Sequence, residues 1–203
     1  MVGSGLTGDA LRAQIAATYG RSDEVIVGLL ERLQSRYGGL SYLSGLFGSQ
    51  VRFAPVCEPE DPTEELEILY AVETQSPAGA SVKRTGEVEL GMDGSGVVEF
   101  VGLDSLIECD AVFDVAGELP VKETAYLRHA AVDHVRAALL ARPDLGLRPV
   151  PEASGQRSFW LQGEHTWVFL TSVWAELGSP LPPMLRVWSQ DEGTASRVVG
   201  VAR

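Results

Sequence analysis

The chain has 203 residues, 45% hydrophobic and 22% charged, with 16 basic side chains against 28 acidic ones and a net charge of −12. That length suits a single domain and that composition is too apolar for a disordered chain, while the few, scattered bases argue against binding nucleic-acid phosphates or anionic membranes. No apolar run reaches the roughly 18 residues of a membrane-spanning helix, and the cysteines Cys57 and Cys109 form no CxxC pair, so a reducing compartment fits best.

The start of the chain, MVGSGLTGDALRAQ, has no apolar signal core after its charges, and a cytoplasmic protein is expected. Thr7 is a candidate cap for a first helix with Leu11, Ile15 and Tyr19 on one face, ended by Gly20. Ser22 is a candidate cap for a second, whose Ile26, Leu29, Leu30, Leu33 and Tyr37 follow the helical period until Gly38-Gly39 stops it. Leu40 to Pro55 reads as a loop leading into a short strand around Val51–Phe53, and the proline- and acid-rich stretch 58–65 as an exposed connection.

Strand patterns follow. Leu66–Val72 is one; Glu87–Leu90 and Val97–Val101 flank Asp93-Gly94-Ser95-Gly96 and form a hairpin. The period of Leu106–Val115 does not decide between strand and helix. Lys122–Arg142 reads as one helix, with Leu127, Ala131, Val135, Ala138 and Leu139 on one face and Pro143 and Gly146 at its end. Phe159–Leu161 and Thr166–Leu170 read as strands joined by 162–165, and Met184–Trp188 with Arg197–Val201 as a last strand pair. The order predicts one α+β domain over 1–203, a largely antiparallel sheet with N-terminal helices and one central helix.

No catalytic, metal or cofactor motif emerges. The glycines of 91–96 fit neither GxGxxG nor GxxxxGK[ST], and GxSxG is absent. His129 and His134 face different directions on a helix, His134 bordering its apolar stripe. His165, beside Glu164 and near Trp167, sits in a turn with no evident nucleophile, so an enzyme is not expected and a pocket there is a third choice. Glu58, Glu60, Asp61, Glu64, Glu65 and Glu67 place six carboxylates in ten residues, a solvated loop or an edge for a basic protein partner. All four tryptophans lie in the last third; as core or as interface residues, Trp160 and Trp174 are the candidates for contact because polar loops adjoin them.

The helix Leu29–Tyr37 ending in Gly38-Gly39, the hairpin Glu87–Val101 with its Asp-Gly-Ser-Gly turn, and the segment Lys122–Leu139 resemble, in that order, elements of the SUKH superfamily. The resemblance covers about residues 22–142 and leaves 156–203 as a tryptophan-rich extension. It implies an α+β fold and, for many bacterial members, an immunity protein that sits on a toxin and blocks it; it transfers no catalytic residue. The expectation is therefore an immunity-type inhibitor of a basic toxin, ahead of an adaptor in a larger assembly.

Overall fold

In the computed structural model, which describes residues 6–57, 68–92, 94–128 and 131–202, the chain divides into two compact units, Met1–Leu103 and Asp104–Arg203. The division falls inside 22–142, so the SUKH-like stretch does not coincide with a unit. Both units combine helices with an antiparallel sheet, and the protein is α+β.

The first unit opens with α1 (Gly8–Tyr19), which buries Leu11 and Ile15 and ends at Gly20 in the left-handed conformation. Thr7 occupies the cap position, but its hydroxyl makes no capping bond. In α2 (Glu24–Tyr37) the cap is Asp23 rather than Ser22: its carboxylate accepts from the amides of Val25 at 2.9 Å and Ile26 at 3.3 Å. One residue decides this, because a carboxylate bonds the free amides of a first turn more strongly than a hydroxyl does. The apolar stripe Ile26, Val27, Leu29, Leu30 and Leu33 is buried. At the far end, a Cβ on residue 38 would lie 2.4 Å from the Gln34 carbonyl oxygen, and Gly39 has φ +83°. Both glycines are thus needed for the turn in which Gly39 donates to the Phe53 carbonyl and Phe53 to that of Leu40.

The strands are β1 (Ser41–Leu43), β2 (Gln50–Phe53), β3 (Val56–Cys57), β4 (Ile68–Thr74), β5 (Ala78–Val82), β6 (Val88–Met92) and β7 (Ser95–Phe100). They lie in the order β1-β2-β4-β5-β6-β7, with β3 also on β4. The stretch 40–55 thus contains one strand more than expected, since the Ser41 hydroxyl and the Ser44 amide close a hairpin onto Val51 and Ser49. The β6–β7 hairpin forms in the register Met92↔Ser95, with Gly94 at φ +82°.

The second unit begins with α3 (Leu103–Gly117), so the undecided stretch is a helix. Leu103, Leu106, Cys109, Val112, Phe113 and Ala116 recur at helical spacing and are buried. The single helix expected over 122–142 is instead β8 (Val121–Tyr126), followed after residue 131 by α4 (Val132–Leu140). Burial alternates residue by residue along β8, and all six of its residues pair with β12 (Met184–Ser189). Val121 and Ala125 are four apart, so they extended the helical stripe of α4 in the sequence; the alternation they also obey is satisfied by a partner strand far along the chain. The expected strand at 197–201 is likewise helix α6 (Glu192–Val201). Its Val-Val pair favours a strand locally, but Asp191 caps Thr194 at 2.8 Å and Ala195, Val198 and Val199 form one buried face.

The remaining elements are β9 (Arg148–Pro149), β10 (Ser158–Gln162), β11 (Thr166–Thr171) and the one-turn helix α5 (Val173–Glu176). The sheet order is β8-β12-β11-β10-β9. On one face Leu161, Val168, Leu170, Leu185 and Val187 pack with Val135 and Leu139 of α4 and with Ala195, Val198 and Val199 of α6. The other face is covered by α3. Its Phe113 ring stands edge-on at 4.7 Å to Trp160, 4.8 Å to Phe169 and 5.7 Å to Trp188.

Burial raises the Asp23 carboxyl, but the bonds from Arg84, Ile26 and Val25 outweigh it and hold its pKa below the ordinary 3.8. A group depressed on folding stabilises the native state above its unfolded pKa and loses that contribution as pH falls through the lower folded value. Asp23→Ala is expected to cost about 1 kcal/mol near neutral pH. The gap from wild type should close as pH drops below 3.8. Urea melts from pH 7 to 3 check this, and Asp23→Asn should retain capping without the pH-dependent part.

Candidate functional site

The acidic cluster Glu58, Glu60, Asp61, Glu64, Glu65 and Glu67 lies outside the described residues. Of the two candidate tryptophans, Trp160 has no exposed surface. Its indole N–H donates to Cys109 Sγ at 3.3 Å, and Phe113, Phe169 and Trp188 surround its ring. The polar loops that marked it flank the ends of β10, whereas the residue itself sits at mid-strand, where the side chain points into the core. Trp174 is half-buried on α5, a turn held by Arg157 and the Ser172 hydroxyl on the Glu176 carboxylate. The two tryptophans therefore do not share an exposed surface.

His134 is exposed on α4 rather than packed at the edge of its stripe, and His129 lies outside the described residues. His165 and Glu164 stand largely in water, with 69% and 90% of their side chains exposed and 3.7 Å between Nε2 and Oε1. At that exposure an ion pair contributes little. Among the described residues no group of three or more His, Cys, Asp or Glu side chains is arranged to hold a metal ion, and no helix is long and apolar enough to cross a membrane.

The surface that emerges from the fold is the outer face of α3. Leu106, Cys109, Phe113 and Ala116 turn toward the sheet, which directs Asp104, Glu108, Ala111, Asp114, Val115 and, just past the helix end, Glu118 to solvent. At 100° per residue these six fall on one side of the helix. Four carboxylates thus share this face with Val115, a branched apolar side chain that is 57% exposed. No base lies on this helix: the sequence has none between Arg84 and Lys122. Several bases elsewhere are engaged with acids, as in Arg12–Glu24, Arg52–Glu73, Lys83–Glu89 and Arg142–Asp144. The base-free run was visible in the sequence; its arrangement as a stripe was not, because that needs the helix assignment.

Comparison with known proteins finds no matching family model, no matching curated protein and no matching solved structure.

The two faces of α3 should respond oppositely to truncation. Phe113→Ala removes a ring in contact with three aromatic neighbours and is expected to cost about 3–5 kcal/mol. Val115→Ala, two residues on, should change stability by no more than about 0.5 kcal/mol. Chemical denaturation followed by tryptophan fluorescence measures both.

Proposed function

We propose that this chain is an immunity-type inhibitor, which neutralises a basic toxin by covering it with an acidic surface. The observation that carries the reading is the stripe on α3, four exposed carboxylates on one face with the exposed Val115 and no base in the helix. An apolar anchor inside a charged rim is how protein interfaces divide the work: the desolvated centre supplies affinity, and the rim steers encounter and rejects partners of like charge. The net charge of −12 adds a long-range attraction for a basic partner. The resemblance of α2 with its Gly38-Gly39 stop, and of the β6–β7 hairpin, to SUKH elements points to the same class.

Co-expression with the products of neighbouring reading frames, scored by growth rescue and by pull-down, tests the function. If no neighbouring product is both toxic and bound, the inhibitor reading is wrong. With a bound toxin in hand, two charge-neutral variants locate the surface. Replacing Asp104, Glu108, Asp114 and Glu118 together by Gln should slow association about tenfold at low salt and flatten its salt dependence, since each exposed pair contributes about 0.2–1 kcal/mol. Flattening instead in the variant with Glu60, Asp61, Glu64 and Glu65 changed to Gln would move the contact to that segment.

A further inference from the structure

The second unit carries another surface, of opposite character. Among the described residues strand β8 ends its sheet and pairs only with β12. The Leu127 amide donates to the Pro183 carbonyl. Residues of an antiparallel pair face their partner alternately, so Val121, Glu123 and Ala125 turn their amides and carbonyls to β12. Those of Lys122, Thr124 and Tyr126 point outward along a free edge. The side chains of these same three residues share one face of the sheet with their register partners Trp188, Arg186 and Met184. Together the six line a depression of about 360 Å³. Its floor is apolar, from Met184 and the nearly buried Trp188, and Tyr126, 64% exposed, stands at its rim.

Two cations face this depression. Among the described residues the side chains of Lys122 and Arg186 make no hydrogen bond or ion pair, whereas the carboxylate of Glu123 faces the other side of the sheet and accepts from Ser196. A lysine on an edge strand is a familiar guard against unwanted pairing. Arg186 has no such explanation: β12 is an interior strand, and the residue is partly buried there with no side-chain partner among the described residues. An unpaired cation on a partly buried residue gains from any carboxylate that reaches it.

We propose that β8 and this depression form a docking site for an extended acidic peptide segment, added as a further strand. Three outward amides and three carbonyls supply the backbone pairing, and side chains at alternate positions of the peptide enter the depression. The occupant therefore carries carboxylates in the positions that reach Lys122 and Arg186 and a large apolar side chain over Met184 and Trp188. A small free anion would satisfy the cations and leave the edge unpaired. A second copy of this chain would satisfy the edge but leave both cations unneutralised, and it would bring together two molecules of charge −12. The site is independent of the α3 surface.

The probes are labelled hexapeptides, Ser-Glu-Thr-Leu-Thr-Glu and its counterpart with Lys in place of both Glu. The glutamate peptide should bind, shifting the amide resonances of Lys122, Thr124 and Tyr126, and the lysine peptide should bind at least about tenfold more weakly. The double variant Lys122→Gln with Arg186→Gln should lose about tenfold in affinity for the glutamate peptide. Thr124→Pro removes only an outward amide, so the β8–β12 ladder survives while binding is lost. Should that variant not fold, methylating the peptide's own edge-facing amides in complex with wild type asks the same question. Equal binding of the two peptides, binding indifferent to amide methylation, or no binding of the glutamate peptide at millimolar concentration would overturn the proposal. So would concentration-dependent shifts at the same three amides in the chain alone, which would make a second copy the occupant.

Discussion

The indole of Trp160 is the constraint on which the second unit depends. It is the largest fully buried side chain, and its N–H meets the sulfur of Cys109. Burying a donor of that kind without a partner would be costly. This contact fixes how α3 is rotated: Cys109 faces the indole, and Phe113, one helical turn on, falls over the same ring and over Phe169 and Trp188. Once that face is set, the opposite one is set too, and Asp104, Glu108, Val115 and Glu118 can only look outward. The aromatic contacts of Phe113 fall on β10, β11 and β12, while every second residue of β8 stays exposed. The α3 surface is thus a consequence of one buried contact.

Elements whose own residues contain the answer were legible in the sequence. The stripe of α2 and its Gly38-Gly39 stop, the β6–β7 hairpin with Gly94, and the strands 158–162 and 166–171 all follow from local period and turn chemistry. The misreadings lie where a distant partner overrides an ambiguous local signal. Val121 and Ala125 satisfy helical and strand spacing alike, and only β12, far along the chain, selects the strand. Val198 and Val199 favour a strand by type, but Asp191 and the cover that α6 gives to Leu185 and Val187 select the helix.

The surfaces were harder to read than the fold because each is a product of it. Acidity was plain from composition, yet which carboxylates stand together depends on α3 being helical, the one assignment its apolar run left open. Trp160 looked like a contact residue because polar residues border its strand; position within the strand, not neighbourhood in sequence, decides exposure. Lys122 and Arg186 are far apart in the chain and meet because the first strand of the unit pairs with its last, which no local pattern announces.

The charge of the chain bears on both surfaces, with different consequences. For α3 it is recognition: carboxylates beside an apolar side chain draw a basic partner and repel an acidic one. For β8 it is protection. A free strand edge is a template for self-pairing, and molecules that each carry −12 repel before their edges can meet. At physiological ionic strength the screening length is about 8 Å, so that repulsion is felt between whole surfaces in near contact, while the field inside the depression is governed by its own two cations. A chain this acidic can therefore keep an open edge that admits a short acidic segment and resists a second copy. The segment contributes only a few charges against the near ones of Lys122 and Arg186, whereas the copy contributes all of its own.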